Sequence, residues 1–230
     1  MRKESCKPRQ VRPRLIDRLA LAMCTARRVD GIWIGSWGRT PEEDLTRVEG
    51  ALLLIQQHSP VDYARIVREL ERIWVDLSFH GLGEYKHSLR ACILDERYVA
   101  DPATTIERIA STIVHEATHA RLERYGIGYK EELRTRIEAI CFCRELAFAV
   151  RLPNSAELQQ QIAQCLEWYH ANPDFFSDAT FRERHTAGGV EALRYVGVPD
   201  LLIRAMLALK SMLERARKLF YTLRSRPPLA

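Results

Sequence analysis

The chain reads as an α+β fold, predominantly helical, with a small sheet. Three observations predict this. Most of the 230 residues fall in segments with apolar residues at i, i+3 and i+4, two short runs alternate instead, and no Pro/Gly/Ser-rich linker divides the chain. With 47% hydrophobic and 28% charged residues, the composition is that of a globular protein and excludes a fibrous or wholly disordered chain.

The first helical segment is expected over Pro13–Arg28, with Leu15, Leu19, Ala22, Met23 and Ala26 at helical spacing, and Asp30-Gly31 breaks it. Ile32-Trp33-Ile34 is a short strand or a buried loop. Thr40-Pro41-Glu42-Glu43 supplies a cap, a proline at the first helical position and acidic first-turn residues, predicting a helix to about Gln57. Ser59-Pro60 repeats that signal for a helix over Val61–Leu70. Ile73, Val75 and Leu77 alternate within a first strand, Arg72–Leu77, and a loop with Gly81 and Gly83 leads to a second, Arg90–Val99. There Ala91 and Ile93 share one face, Cys92 and Leu94 the other.

Thr104-x-x-Glu107 has the form of a capping box and opens the strongest helix, which Gly126 and Gly128 end near Tyr125. Further helices are expected over Lys130–Leu152, Ser155–Ala171 and Pro199–Leu223, with Pro173–Gly189 irregular or a broken helix.

Six of the seven charged residues in 1–14 are basic, so the net charge of +5 resides in that segment and the rest of the chain is neutral. This predicts a flexible basic tail, with a nucleic-acid or acidic-surface contact as its functional reading. Residues 226–230 form a second tail. No apolar run is long enough for a transmembrane span, and no apolar core follows the basic start as a secretory signal requires. The six cysteines form no C-x-x-C pair, so they are expected to be reduced residues of a cytoplasmic protein.

The chemistry is concentrated in His115-Glu116-Ala117-Thr118-His119, an H-E-x-x-H. At 100° per residue, Ile109, Ala110, Ile113, Ala117 and Ala120 form the apolar back of this helix. His115 and His119 lie opposite, one turn apart. Two imidazoles so placed suit one Zn²⁺, and Glu116 beside them can take a proton from water whose pKa the metal lowers. Glu138 stands nineteen residues after His119 on the next helix. In an antiparallel hairpin both lie roughly 10–12 Å from the turn, so Glu138 is the candidate third ligand. Glu131 and Glu132 lie too near the turn, while Glu145 should overshoot His115. Flanked by Ile137, Ala139 and Ile140, a carboxylate at 138 needs a partner.

H-E-x-x-H followed on the next helix by Glu138 resembles the gluzincin branch of the zincin metallopeptidases, over about residues 90–152. The resemblance implies that His115, His119 and Glu138 bind zinc and that Glu116 is the catalytic base. It implies a zincin-like core within a single domain over residues 15–225, with a small sheet, an active-site helix and an antiparallel ligand helix. It also implies that Arg90–Val99 is the edge strand along which a substrate backbone lies. Cys141 and Phe142 stand where many members carry an Asp that orients a zinc-bound His. Members also use a downstream His or Tyr to stabilise the oxyanion. His185, just before Gly188-Gly189, is the chosen candidate, with His170, Tyr169 and Tyr195 as alternatives.

The function expected is that of a zinc-dependent hydrolase, a metallopeptidase acting on a peptide or protein substrate. The alternative is a zinc-binding zincin-like domain with a regulatory or interaction role and little turnover.

Overall fold

A computed structural model of the chain describes residues 13–224. Both predicted tails, apart from Pro13 and Arg14, lie essentially outside the described residues. The fold is mostly helical with one five-stranded mixed sheet, in the order β1-β2-β3-β5-β4. No helix among the described residues is long and apolar enough to cross a membrane.

Helix α1 spans Leu15–Met23 and stops short of the expected Arg28, because Thr25–Val29 is strand β1. It pairs antiparallel with β2, Ile32–Ser36, through a two-residue turn in which Asp30 and Gly31 have φ of 48° and 88°. Asp-Gly is thus a hairpin turn here, not a helix break. The order α2 (Pro41–His58), α3 (Pro60–Glu69) and β3 (Arg72–Asp76) follows the sequence reading closely.

The edge-strand expectation is overturned. Residues Gly83–Lys86, read as loop, form β4, which pairs only with β5, Ala91–Asp95. Strand β5 is fully buried between β3 and β4, so β4 is the edge. A strand of four residues, Gly-Glu-Tyr-Lys, carries too little alternation to be recognised. Beyond Asp95 the chain turns into helix α4, Glu96–Ala100. The Asp95 carboxylate accepts from the amides of Arg97 and Tyr98 and, at 3.0 Å, from Ser78 N–H, which ties the 77–82 loop to the helix start.

Helix α5, Ile106–Arg124, is capped by Thr105, not Thr104: the Thr105 hydroxyl accepts from Arg108 N–H at 3.3 Å. It ends in a Schellman motif, with Ile127 N–H donating to Leu122 O and Gly126 N–H, at φ 83°, donating to Glu123 O. Helices α6 (Glu131–Ala149) and α7 (Ala156–Ala171) follow. A short 3-10 turn at Pro173–Phe176 then leads into α8, Asp178–Tyr195. Where a broken helix was expected, α8 is continuous through Gly188-Gly189. A Cβ at Gly188 would lie 2.4 Å from Phe79 O, so glycine lets this helix rest on the 77–82 loop. Helix α9, Asp200–Arg224, completes the described chain.

The sheet has two apolar faces, as the alternation of β5 requires. Cys92 and Leu94 join Ile34, Ile73 and Val75 in the main core, against Val48 and Leu52 of α2, Ile66 of α3 and Ile109 and Ile113 of α5. Ala91, Ile93 and Trp74 face Ala20 of α1. The predicted back of α5 is buried in the main core, and this fixes which residues its front presents.

Candidate metal centre

Helices α5 and α6 pack as an antiparallel hairpin, so a residue early in one meets a residue late in the other. His119 and Glu138 meet near the loop, and Ser111 and Glu145 meet two turns further along. Glu138 Oε2 lies 3.3 Å from His115 Nε2, Glu138 Oε1 lies 3.5 Å from His119 Nε2, and the two imidazole Nε2 atoms are 3.2 Å apart. Three donors bound tetrahedrally at 2.0–2.1 Å stand about 3.3 Å from one another. The two imidazole nitrogens have that spacing, and each lies at a similar distance from a different oxygen of the Glu138 carboxylate; two imidazoles and a carboxylate set as a triangle of residues suit that ion.

His115 is oriented by Glu145. Its Nδ1 lies 3.0 Å from Glu145 Oε2, and Glu145 Oε1 accepts from Ser111 Oγ at 2.8 Å. The expectation that Glu145 overshoots His115 is thus corrected. An imidazole carries nitrogens on opposite sides of the ring, so it reaches two carboxylates set two helical turns apart. With Nδ1–H directed at Glu145, the Nε2 lone pair faces the donor triangle. Burial opposes a positive charge on His115, yet Glu138 and Glu145 outweigh it and raise the pKa of the ring well above its ordinary value. Burial also opposes ionisation of Glu138, but hydrogen bonds and charge from His115 and His119 hold its carboxyl far below the usual carboxylate range. Tyr129 donates its hydroxyl to Glu138 Oε1, and its ring packs edge-on to His119 at 5.5 Å.

Cys141 offers a second soft donor, with Sγ within 4.8 Å of the His115 and His119 nitrogens. Burial, reinforced by the Glu138 charge, raises its thiol pKa, whereas the Glu138 carboxyl is held well below its ordinary value and faces the two imidazoles at 3.3 and 3.5 Å. Glu138 is therefore the better third donor.

Glu116 is buried on the same helix, and burial raises its carboxyl pKa against the opposing pull of His119 and His115. A group that holds a proton more readily than an ordinary carboxylate suits a general base. Edge strand β4 lies directly over it. A Cβ on Gly83 would stand 3.1 Å from Glu116 Oε1 and 2.7 Å from Thr112 Cγ2, so only glycine admits this approach. The neighbouring Glu84 carboxyl is pushed up to about 7 by burial and by the Glu116 charge.

These groups open onto one cavity of about 510 Å³, floored by α5, edged by β4 and walled by α6, α7 and α8. Of the oxyanion candidates, Tyr169 lines it. His185 is exposed and does not: its ring packs 4.6 Å from that of His80, which does line the cavity, and 5.5 Å from that of Phe79. Tyr195 bonds Glu96 at 3.1 Å, and His170 is exposed. His115, Glu116, His119 and Glu138 are thus brought together, and His185 is not. Glu145, Tyr129 and Gly83 are the members that sequence reasoning missed. Glu145 alone had a legible signal, its seven-residue spacing from Glu138 on one helix face.

Compared with protein-family models, curated proteins and solved structures, the chain matches none.

Proposed function

We propose that the chain is a zinc-dependent hydrolase, a metallopeptidase of gluzincin type with a zincin-like core, in which His115, His119 and Glu138 hold the metal and Glu116 is the general base. The observation that carries this reading is two imidazole nitrogens 3.2 Å apart, facing the two oxygens of one carboxylate at 3.3 and 3.5 Å, with a second buried carboxylate on the residue after His115. Zinc, when bound, supplies a Lewis acid for a carbonyl oxygen and lowers the pKa of water toward neutrality.

The remaining work falls to the protein. Glu145 keeps the His115 ring turned so that Nε2 faces the site, and Tyr129 steadies Glu138. The free edge of β4 offers backbone groups to an extended peptide, directly above Glu116. The Glu116 carboxylate takes a proton from water as the water oxygen bonds to the scissile carbonyl carbon. It then delivers that proton to the amide nitrogen as the C–N bond breaks. One water is consumed, and one carboxylic acid and one amine are formed.

The test is metal stoichiometry on protein purified without chelator, alongside hydrolysis of a mixed peptide library. The parent chain should bind one zinc, His119→Ala and Glu138→Ala should lose it, and Glu116→Gln should keep it while losing hydrolysis. Failure to take up added zinc would overturn the reading. Zinc uptake with no turnover in the parent would replace it with the regulatory, zinc-binding alternative.

A further inference from the structure

Away from the donor triangle the cavity becomes aromatic. The Phe142 ring stands 4.8 Å from that of His115, Tyr169 stands 5.1 Å from Phe142, and Phe175 stands 5.3 Å from Tyr169. At the end of this path is a cation: Arg184 Cζ lies 3.7 Å over the Phe175 ring. All of these residues line the same cavity.

Arg184 is half-buried and short of partners. It donates from Nη2 to Phe175 O at 3.2 Å, while its Nε is buried with no acceptor. Among the described residues no carboxylate pairs with it. The contrast is Arg134 nearby, whose guanidinium lies 5.2 Å from the Phe181 ring and is neutralised by Asp178 at 2.7 Å. Donor-rich guanidinium groups bind carboxylates as a fork, and a desolvated one lacking its anion favours any ligand that supplies one.

On the hydrolase reading above, we propose that the site acts at the carboxyl ends of peptides. The residue on the leaving side carries an aromatic or large apolar side chain, which packs among Phe142, Tyr169 and Phe176. The chain ends on the leaving side of the scissile bond, in a free α-carboxylate that pairs with Arg184. The size of the cavity agrees with a short leaving group, since about 510 Å³ lies in the range of sites that enclose small molecules and not long chains.

The experiment is calorimetric binding of Ala-Phe, its carboxamide and Ala-Gly to the zinc-loaded full chain, with the metal content of each sample measured. Ala-Phe should bind about tenfold or more tightly than its carboxamide, the size expected for a charge-assisted pair, and about tenfold or more tightly than Ala-Gly, which lacks the apolar side chain. Arg184→Gln should remove the acid-over-amide preference while retaining zinc. Equal binding of acid and amide by the unaltered protein would overturn the proposal. So would a preference that survives Arg184→Gln, which would assign the carboxylate to the metal, or one lost instead in Arg108→Gln, the guanidinium lining another part of the cavity. Zinc binding without discrimination would defeat this inference alone. Discrimination in a chain that takes up no zinc would defeat the hydrolase reading alone.

Discussion

Glu145 Oε2 accepts the Nδ1 proton of His115 at 3.0 Å, from a position seven residues beyond the carboxylate that faces Nε2 of the same ring. One imidazole is therefore held between two acidic groups of a single helix. Removing the second group should loosen the first.

Zinc affinity should fall about 10- to 100-fold in Glu145→Ala, the usual cost of losing a carboxylate behind a metal-bound imidazole. Glu145→Gln, which keeps an acceptor for Nδ1–H, should fall less. Competition titration with a chromophoric chelator measures both. Unchanged affinity in Glu145→Ala would show that this contact does not orient the ring.

Gly83→Ala tests the closeness of the edge strand. Its Cβ would press on Thr112 Cγ2 at 2.7 Å and on Glu116 Oε1 at 3.1 Å, so β4 or the Thr112 side chain must shift and the carboxylate must give way slightly. Peptide hydrolysis should fall by about tenfold or more, because small displacements of a reacting group are costly. Zinc stoichiometry should stay at the parent value. Full activity in this variant would mean that the approach of β4 does not set the position of Glu116.

Gly188→Ala probes the seat of α8. The added Cβ meets the backbone carbonyl of Phe79 at 2.4 Å, and backbone yields less readily than the end of a side chain. A loss of about 1–3 kcal/mol in denaturant unfolding is expected, the range for overpacking. Gly189→Ala, in the same helix and with no atom within 4 Å of the added Cβ, serves as the control and should stabilise by about 0.5–1 kcal/mol, the helix-propensity gain.

His80 gives the fold a dependence on pH. Burial, then the charges of His185 and Arg184, lowers its pKa to about 4, while Glu84 faces it at 3.8 Å and Phe181 stacks on it. Between pH 6.5 and 4 the unfolded chain binds this proton more readily than the folded one. Stability should thus be full above pH 6.5 and should fall as the pH drops toward 4. Between pH 7 and 5 the His80 share is at most roughly 2 kcal/mol. Chemical denaturation of His80→Gln at both pH values should show a smaller difference than the parent; an equal difference would assign the dependence to other groups.

The legible parts of the molecule were those governed by one helix or one turn. The pair at 115 and 119 needs only the period of a helix, and Glu138 needs only the length of a hairpin arm. The helix starts at Pro41 and Pro60 are equally local, although the Thr40 side chain expected to cap the first makes no capping hydrogen bond. Strands β1 and β4 escaped because each has four or five residues, an outer edge and polar side chains, so their pairing is decided by the sheet and not by their own pattern. Depth along the helix axis alone places Glu145 beyond His115; its contact depends on the reach of an imidazole that bonds from both sides. The aromatic wall and Arg184 come from α6, α7, α8 and the turn between the last two, and no spacing in the chain announces that these segments converge.

The three donor residues and Glu145 all belong to two consecutive helices joined by a six-residue connection, 125–130. Such a hairpin closes a short loop and forms through local contacts, which favours its appearance ahead of arrangements between distant segments. The segments that roof the cavity, α7 and α8, lie later in the sequence. On the metal-binding reading proposed above, an ion would be captured while the hairpin is still open to solvent, tying helix to helix before the roof arrives. In hydrogen exchange, added zinc should slow the amides of α5 and α6 together, as one cooperative unit.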